Sequence, residues 1–265
     1  MRLKRLLRLS HWLLTPVYRV YERLLWRQIR GGPMPRHIGI IPDGNRRWAR
    51  LRGWDVFFGH ERGYERMREV LDWIWDLGIT HVTVYAMSTE NCTRRSVEER
   101  NHLFDIIKRG LEELGSDPRI RRRRVRVKVI GRREMVRPDV LETARRLEEE
   151  TGRAWERTLY IALCYGGRDE ILEAARRIAE EARKGNLDPR DINESLFRKY
   201  LYTNGSPDPD LIIRTSGEER ISNFLLWQSA YSELYFAEAY WPEFRKIDLW
   251  RAIRSYQKRE RRYGA

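Results

Sequence analysis

The feature of the sequence that most constrains its fold is an alternation of short β-branched runs with long stretches of helical periodicity. This alternation predicts strands joined by helical crossovers, and therefore a mainly parallel central sheet of about six strands flanked by helices. Because no internal repeat or low-complexity linker interrupts the pattern, we expect a single α/β domain. The predicted strands are Ile38–Ile41, His81–Ala86, Val125–Ile130, Leu159–Leu163, Leu211–Arg214 and Leu234–Phe236.

Helices are predicted between these strands, where apolar residues recur every three or four positions. In sheets of this kind, ligands bind beyond the carboxyl ends of the strands. The informative polar residues should therefore come directly after strands. The predicted helices are Arg62–Leu77, Val97–Leu114, Asp139–Glu150, Asp169–Lys184, Asp191–Tyr200 and Asp248–Arg261.

The first thirty residues precede this pattern and differ from it. Their apolar residues recur at spacings of three and four, and arginines lie on another face, which predicts a basic amphipathic helix. This helix either packs on the body of the protein or on a second subunit, or it lies in the plane of a membrane. A turn rich in glycine and proline ends it, so we divide the chain into an extension, residues 1–33, and a main domain, residues 34–265.

Net charge and cysteine content limit the binding partners and the cellular compartment that we expect. The formal net charge of +14 predicts attraction to polyanions: nucleic acid, anionic membrane or phosphorylated small molecules. The charged fraction of 35% is compatible with a thermophile that organises surface ion pairs. Cys92 and Cys164 are too few for a disulfide framework, so we expect a reducing, cytoplasmic setting. Because no uninterrupted apolar run reaches about 18 residues, no helix is predicted to span a bilayer.

The first candidate site follows the predicted strand Ile38–Ile41 and reads Pro-Asp-Gly-Asn-Arg-Arg-Trp. Gly44 allows the backbone to approach a ligand closely, and the N–H groups that follow can point at phosphate oxygens. Arg46 and Arg47 add charge-assisted donors, and Asp43 suits a Mg2+ ion that bridges a carboxylate and a diphosphate. The alternative is an ordinary turn in which Asp43 caps a helix, but it leaves two arginines unexplained.

A second polar segment follows the predicted strand His81–Ala86. Ser88 and Asn91 can hydrogen-bond a reacting substrate, and Arg94 can bind phosphate. The alternative makes Ser88 or Ser96 a helix N-cap, with Glu99 completing a capping box from Ser96. For Ser96 we favour that alternative.

The third polar segment begins at Arg214, directly after the apolar run Leu211–Ile213. Arg214, Arg220 and Ser222 are anion donors there, and a strongly apolar stretch comes directly after them. Phosphate-binding groups beside an apolar wall suit an amphiphilic ligand. A prenyl diphosphate is such a ligand.

Together these segments resemble the cis-prenyltransferases, the undecaprenyl diphosphate synthase family, from about His37 to Tyr263. The similarity rests on long ordered motifs, including His-Ile-Gly-Ile-Ile-Pro-Asp-Gly-Asn-Arg-Arg-Trp, Tyr-Ala-Met-Ser-Thr-Glu-Asn and Ile-Ile-Arg-Thr-Ser-Gly-Glu-Glu-Arg-Ile-Ser-Asn-Phe. Tyr-Gly-Gly-Arg at residues 165–168 and Glu-Arg-Arg-Tyr at residues 260–263 also match. The form of the first motif and the basic extension resemble archaeal members, which are associated with geranylgeranyl diphosphate as primer.

The resemblance implies cis-prenyl chain elongation. Isopentenyl diphosphate would be condensed onto an allylic prenyl diphosphate, geranylgeranyl or farnesyl diphosphate. The product would be a long-chain Z,E-mixed polyprenyl diphosphate, the precursor of a glycosyl carrier lipid. The family also implies a hydrophobic tunnel for the growing chain, dependence on Mg2+, and a homodimer with no nucleic-acid partner. The basic N-terminal helix is then a candidate for peripheral contact with the inner face of the cell membrane.

The resemblance further implies roles for individual residues. Asp43 would hold Mg2+ with the allylic diphosphate, Glu233 would be a second magnesium-linked carboxylate, and Asn91 would assist proton removal. The residues expected around the allylic substrate are Gly44, Asn45, Arg46, Arg47, Trp48 and His60, those near the reacting carbons are Ser88, Thr89 and Glu90, and those around isopentenyl diphosphate are Arg94, Arg214, Arg220, Ile221 and Ser222.

Three positions depart from the bacterial pattern of the family. Val56 stands where bacterial members have Arg, which removes a diphosphate contact unless Arg52 replaces it. Cys92 stands in place of Trp, and Glu219 in place of a His found in some members. These departures leave the three main motifs intact but bear on primer handling and metal ligation.

Two other functions compete with this interpretation. The charge and the arginine run at residues 121–124 favour a nucleic-acid-binding protein. A non-catalytic subunit of a heteromeric synthase is a further alternative, but such subunits usually lose the turn that contains Asp43. The chain has no Asp-Asp-x-x-Asp cluster of the trans-prenyltransferase type, and Asp208-Pro209-Asp210 is interpreted as a turn before a strand.

Overall fold

The computed structural model describes residues 18–153 and 156–259. Its centre is a six-stranded sheet in which all neighbouring strands are parallel, so the predicted parallel sheet is confirmed. The strands are β1 (His37–Ile41), β2 (His81–Tyr85), β3 (Val125–Ile130), β4 (Arg157–Ala162), β5 (Leu211–Arg214) and β6 (Glu233–Phe236). Their order across the sheet is β3-β4-β2-β1-β5-β6, which puts β1 between β2 and β5.

Helices cover both faces of this sheet, as expected for parallel strands joined by crossovers. Short 3-10 turns lie at Arg133–Met135, Pro189–Asp191 and Trp241–Glu243. The helices are α1 (residues 18–29), α2 (Asn45–Arg50), α3 (Val56–Asp76), α4 (Thr89–Arg94), α5 (Val97–Ser116), α6 (Pro118–Arg122), α7 (Pro138–Thr151), α8 (Gly167–Arg183), α9 (Glu194–Tyr200) and α10 (Lys246–Lys258).

Capping side chains explain where the helix bounds differ from the prediction. Helix α3 begins six residues before the predicted Arg62, because Asp55 accepts a hydrogen bond from the N–H of Phe57 at 2.7 Å. The predicted helix Asp191–Tyr200 is shorter, because Asn193 accepts from the N–H of Leu196 and starts α9 there. The predicted end of the last helix, at residue 261, lies outside the described residues.

The sequence prediction missed α2, α4 and α6. These helices have five or six residues, which is too short for an apolar period to be visible. Local caps define them instead. The hydroxyl of Ser88 accepts from the N–H of Asn91 to start α4, and Asp117 with Pro118 starts α6. The polar segment after β2 is therefore a helical turn and not an open loop.

Helix α1 packs on the body of the protein. Leu25 and Ile29 are fully buried in the main apolar core, and the rings of Trp26 and Trp250 of α10 lie 5.6 Å apart. Val20 and Leu24 remain exposed on the same helix. The part of the predicted amphipathic helix that covers residues 1–17 lies outside the described residues. Among the described helices, none is both long and apolar enough to cross a bilayer.

Part of the arginine run at residues 121–124 is used in ion pairs. Arg123 contacts Asp72 at 2.6 Å and Asp76 at 2.8 Å, both on α3. Arg124 contacts Glu156 at 3.0 Å. These contacts give arginines of the run a role within the chain, without a nucleic-acid ligand.

The two cysteines form a disulfide. Cys92 of α4 and Cys164, which follows β4, have Cα atoms 5.7 Å apart although 72 residues separate them in sequence. The sequence analysis expected a reducing setting because two cysteines are too few for a disulfide framework, and it did not anticipate this single bond. The pairing depends on the adjacency of β2 and β4 in the sheet, which the cysteine spacing does not reveal.

Helices α2 and α3 pack unusually closely, because α3 presents glycines to α2. A Cβ atom added at Gly59 would lie 2.4 Å from the backbone oxygen of Asn45, and one added at Gly63 would lie 2.5 Å from the Asn45 side chain. No side chain fits at Gly59 unless the backbone of α2 moves. The glycines therefore fix the position of the segment that follows β1.

We predict that Gly59→Ala lowers the free energy of unfolding by roughly 1–3 kcal/mol, because the clash is with backbone and overpacked sites cost about that much. Urea unfolding followed by circular dichroism measures the change. The control is Gly115→Ala in α5, where the nearest atoms to an added Cβ lie at 3.6 Å. Alanine is the better helix former, so the control should be neutral or slightly stabilising. Equal stability of the two variants would contradict the packing argument.

Candidate active site

The polar segments that follow β1, β2 and β5 meet at one edge of the sheet, as the sequence predicted. They enclose a cavity of about 750 Å3. Eleven of the residues predicted for the site line this cavity: Asp43, Gly44, Asn45, Arg46, Arg47, His60, Ser88, Glu90, Asn91, Arg214 and Ser222.

Asp43 is held firmly and still faces the cavity. Its Oδ2 atom accepts a hydrogen bond from Nη2 of Arg214 at 2.7 Å, and its Oδ1 atom accepts from the N–H of Gly44 at 2.7 Å. Its backbone oxygen accepts from the hydroxyl of Thr215 and from the N–H of Trp241. The side chain keeps 30% exposure. Since Gly44 occupies the N-cap position of α2 and no side chain caps that helix, the alternative in which Asp43 is only a helix cap is wrong.

Gly44 is required by its backbone. Its φ of 102° lies in the left-handed region, which other residues rarely adopt. An added Cβ would also lie 2.6 Å from the ring of Tyr240 and 2.9 Å from Cβ of Ser216. The turn that leads into α2 therefore needs glycine for both conformation and space.

Arg214 connects the first and third polar segments. Its side chain is only 5% exposed. While Nη2 binds Asp43, Nη1 donates to the hydroxyl of Ser222 at 2.7 Å and to the backbone oxygen of Arg220 at 2.6 Å. A buried guanidinium held by this many acceptors has a fixed orientation. One cation therefore organises the residues that follow β1 and β5.

A second buried cluster lies across the cavity and contains His60, Arg95 and Glu99. One oxygen of Glu99 accepts from Nε2 of His60 at 2.9 Å and from Nη1 of Arg95 at 2.5 Å. The Nε atom of Arg46 lies 3.6 Å from the same oxygen. Ser96 caps α5 as expected, but the carboxylate of Glu99 points to this cluster instead of completing the capping box. That part of the capping prediction is wrong.

Burial and charge fix the protonation states of this cluster. Burial lowers the pKa of His60 to about 4, and the nearby Arg95 charge adds to the effect against the opposing hydrogen bond to Glu99. Burial alone would raise the pKa of Glu99, but the hydrogen bond from His60 and the charges of Arg95 and Arg46 outweigh it and lower that pKa. The cluster therefore holds a neutral imidazole beside an ionised carboxylate.

Three of the arginines that line the cavity have a buried Nε atom that donates no hydrogen bond within the described part of the chain. The Nε atoms of Arg46, Arg95 and Arg214 are buried and make no hydrogen bond to the described residues. A buried donor left in this way costs about 1–3 kcal/mol. An anion in the cavity would offset part of that cost, because phosphate oxygens accept charge-assisted hydrogen bonds.

Helix α4 forms the third side of the cavity. The N–H of Thr89 donates to the backbone oxygen of Tyr165 at 2.9 Å, which ties the start of the helix to the segment after β4. The hydroxyl of Tyr85 donates to the backbone oxygen of Ser222 at 3.2 Å. Asn91 lines the same cavity as the Asp43 turn.

Some predicted residues lie outside the wall. Trp48 of α2 is buried against the ring of Trp54, and the hydroxyl of Thr89 donates to Asp169 at 3.1 Å. Arg94 is exposed. The side chain of Arg220 pairs with Glu218, and Ile221 packs against a small apolar cluster. The matching motif at residues 260–263 lies outside the described residues.

In the folded chain, Glu233 lies well away from Asp43. It is the first residue of β6 and pairs with Leu211, three residues before Arg214 on β5. At about 3.3 Å per residue, this puts it roughly 10 Å back along the sheet from the edge where Asp43 lies. Its carboxylate pairs with Arg259. Asp43 and Glu233 therefore do not lie side by side within one chain, and the assignment of Glu233 as a second magnesium-linked carboxylate stays a prediction.

The structure adds residues that the sequence analysis missed. Arg50, Arg95 and Asn223 also line the cavity. Arg95 and Glu99 are four residues apart around the start of α5, a spacing that predicts an ion pair, but their partner His60 lies 39 residues before Glu99. Arg52 stacks over Trp48 with its guanidinium 4.7 Å from the ring and pairs with Glu243. It therefore does not replace the arginine that is absent at Val56.

A mostly apolar cavity of about 550 Å3 adjoins the polar one. Both are lined by Ala86, which directly follows β2. The apolar cavity runs between α3, α5, α6 and the strands β2 and β4. No residue of α7 or β3 lines this cavity. The apolar side chains that line it are Met67, Leu71, Trp75, Val84, Ile107, Leu111, Leu114, Ile120, Leu159 and Ile161.

The polar cavity fits a magnesium ion held mainly by substrate. Within the described residues, no group of three or more His, Cys, Asp and Glu side chains is placed to hold a metal. Mg2+ is usually bound by one or two carboxylates together with substrate phosphates and water. The partly exposed Asp43 carboxylate, beside the arginines that line the cavity, matches that pattern.

The chain is similar to known proteins over almost its whole length. A family model described as putative undecaprenyl diphosphate synthase matches residues 41–264. A Sulfurisphaera tokodaii protein named tritrans,polycis-undecaprenyl-diphosphate synthase (geranylgeranyl-diphosphate specific) is 51% identical over 253 residues, covering 96% of this chain and 97% of the relative. An isoprenyl transferase of Thermus thermophilus is 50% identical over 265 residues, covering 98% of this chain and 99% of the relative.

Solved structures share the fold. Lavandulyl diphosphate synthase from Lavandula x intermedia, in complex with dimethylallyl diphosphate, superimposes with a TM-score of 0.82 at 35% identity. The match covers 88% of this chain and 99% of that structure. A probable undecaprenyl diphosphate synthase from Campylobacter jejuni gives a TM-score of 0.72 at 29% identity, covering 88% of this chain and all of that one.

We predict that the imidazole of His60 stays neutral down to about pH 5, because burial lowers its pKa to about 4. NMR titration of the ring nitrogens measures this directly. The same histidine in the denatured protein should titrate near pH 6.5, the value for an exposed imidazole. A midpoint near 6.5 in the folded protein would show that water reaches the cluster and would contradict its burial.

Proposed function

The chain belongs to the undecaprenyl diphosphate synthase family and is a cis-prenyltransferase, and from this premise we propose that its two adjoining cavities form one substrate site. The polar cavity binds diphosphate and the apolar cavity takes the hydrocarbon chain. The contact of the two cavities at Ala86 carries this proposal, because a prenyl diphosphate has the same division into a charged head and an apolar tail. The product is a long-chain polyprenyl diphosphate that is the precursor of a glycosyl carrier lipid.

The allylic diphosphate binds at the turn after β1. The N–H groups of the first turn of α2 have no partner within the helix and are available to phosphate oxygens. Arg46 and Arg47 line the same wall and add positive charge. The allylic C–O bond breaks with its electron pair leaving on the diphosphate, so these donors stabilise charge that increases during the reaction.

Asp43 is the magnesium ligand in this proposal. When bound, Mg2+ supplies positive charge that stabilises the departing diphosphate. Asp43 contributes its carboxylate, while Arg214 and the N–H of Gly44 hold that carboxylate in place. The family relationship and the partly exposed carboxylate support this assignment.

Isopentenyl diphosphate binds on the side of Arg214 and Ser222. Its double bond supplies the electron pair of the new C–C bond, and the proton that is lost to leave a Z alkene passes to an oxygen of the diphosphate released from the allylic substrate. A neutral amide is too weak a base to keep that proton. We therefore assign Asn91 to orienting the reacting groups through hydrogen bonds. Arg94 and Arg220 lie at the rim, and their guanidinium groups must turn inward to contact the second diphosphate.

The archaeal relatives point to a primer. The Sulfurisphaera tokodaii relative is named as specific for geranylgeranyl diphosphate, and we propose the same primer for this chain.

We also propose residues 34–265 as the catalytic unit, working as a cytoplasmic homodimer, with the basic N-terminal helix in peripheral contact with the membrane. The exposed Val20 and Leu24 support such a contact. Light scattering with and without anionic vesicles would test both assembly proposals.

We predict that Asp43→Asn lowers the rate of condensation at least about 100-fold, since groups that stabilise developing charge are usually worth that much or more. Incorporation of labelled isopentenyl diphosphate measures the rate. The control is Asp208→Asn, which changes the Asp-Pro-Asp turn and should keep near-normal activity. Thermal unfolding checks that both variants fold. Near-normal incorporation by a folded Asp43→Asn would contradict the assignment.

We predict a preference of about 10-fold or more in kcat/KM for geranylgeranyl over farnesyl diphosphate, because each additional buried carbon of the longer tail contributes about 0.8 kcal/mol. Chromatography of products from separate incubations with each primer measures this. A preference for farnesyl diphosphate would contradict the primer proposal. Extension of neither primer would contradict the activity itself.

A further inference from the structure

The disulfide joins α4, which carries Asn91, to the segment that follows β4. Cys92 follows Asn91 directly in α4, and Cys164 lies two residues beyond the end of β4. Both cysteines are buried, with 4% and 0% exposure. The bond therefore anchors the helical turn that carries Asn91 to the sheet edge from within the protein.

The rest of α4 has few anchors of its own. The helix has only six residues, and Thr93 and Arg94 are exposed. Its first turn is tied to the body through the N–H of Thr89, which donates to Tyr165 at 2.9 Å. Its second turn is tied through Cys92, whose backbone oxygen also accepts from Nη1 of Arg100 at 3.0 Å. Asn91 lies between these two attachments.

The backbone of Cys164, at the other end of the disulfide, is fixed by its surroundings. Cys164 has a φ of 47°, in the left-handed region, and its backbone oxygen accepts from the N–H of Arg132. The N–H of the preceding Leu163 donates to the backbone oxygen of Ile130 at the end of β3. Since a non-glycine residue keeps such a conformation only where its surroundings fix it, Cys164 is a fixed point and α4 is the part that the bond restrains.

We propose that the Cys92–Cys164 disulfide is a positioning element that holds Asn91 at the site of condensation. The proposal rests on the role assigned to Asn91 in the proposed function. Without the bond the second turn of α4 gains freedom, and Asn91 spends less time in its productive orientation. The Asp43 turn is held by Arg214 and the N–H of Gly44 and not by this disulfide, so binding of the allylic primer should change little.

The chemistry of the bond is balanced thiol–disulfide exchange. On formation, two thiols lose two protons and two electrons, which reduce a small-molecule disulfide such as oxidised glutathione to two thiols. Dithiothreitol reverses the reaction and is itself oxidised to a cyclic disulfide. Disulfides are uncommon inside most cells but occur widely in intracellular proteins of hyperthermophiles, so the bond is compatible with a cytoplasmic enzyme of a heat-loving organism.

The test compares the full-length protein with and without the bond. The oxidised protein is prepared with oxidised glutathione, and the reduced protein is prepared with dithiothreitol at elevated temperature, because the sulfurs are buried. Thiol titration in denaturant and a mass difference of about two hydrogen atoms establish the two states. The reduced wild type is the matched control, since it differs from the oxidised form in that bond alone. The double variant Cys92→Ser/Cys164→Ser gives a form that cannot reoxidise.

The expected result is a fall of about 10-fold in kcat on reduction, with the dissociation constant of the allylic primer unchanged within about twofold. Such a loss corresponds to misplacement of one catalytic group. Reoxidation should restore kcat in the wild type but not in the double variant. If the bond were purely structural, reduction would lower thermal stability but would not lower kcat while primer binding stayed constant. A fall in kcat with unchanged primer binding therefore identifies a positioning role.

Two outcomes would overturn the proposal. One is a protein that still titrates two free thiols after oxidation. The other is an unchanged kcat in the folded, reduced protein, measured below its unfolding temperature. Asn91→Ala, assayed in parallel, separates this failure from failure of the proposed function. If Asn91→Ala is inactive and reduction has no effect, only the disulfide inference fails, whereas an active Asn91→Ala removes the role on which the inference rests.

Discussion

Nη2 of Arg214 donates to Oδ2 of Asp43 across 2.7 Å, and the rest of the candidate site is arranged around this ion pair. The guanidinium is almost fully buried, whereas the carboxylate reaches the cavity. Removing one partner of a buried pair costs roughly 3–5 kcal/mol, and less where one group is partly exposed. Because Arg214 also binds Ser222, the pair fixes the segments after β1 and β5 relative to each other before any substrate arrives.

The division between polar and apolar space follows from the sheet. All strands are parallel, so the residues that follow them gather at one edge, and the arginines of those segments concentrate positive charge there. The apolar side chains of α3, α5, β2 and β4 leave space behind that edge. Ala86 lines both regions. A ligand with a charged head and a long tail is the chemistry that uses both regions.

The sequence predicted the parts of the site that depend on local order, and missed those that depend on distant contacts. Asp43 and Arg214 were found because each comes at the end of a β-branched run. Glu99 was assigned only to a local capping box, since its contact with His60 requires the packing of α3 against α5. The disulfide could not be foreseen from two cysteines 72 residues apart, because it depends on the order of strands in the sheet. The position of Glu233 likewise depends on the register of β6, which motif matching does not give.

The most direct test of this account is a crystal structure of the protein with Mg2+, isopentenyl diphosphate and a geranylgeranyl analogue whose bridging oxygen is replaced by sulfur, so that condensation stops. We expect the allylic diphosphate at Arg46 and Arg47, a magnesium ion on the carboxylate of Asp43, and the hydrocarbon tail passing Ala86 into the apolar cavity. A diphosphate bound elsewhere, such as the cavity of about 860 Å3 beside Arg126 and Lys128, would contradict it. So would a tail that lies outside the space between α3 and α5.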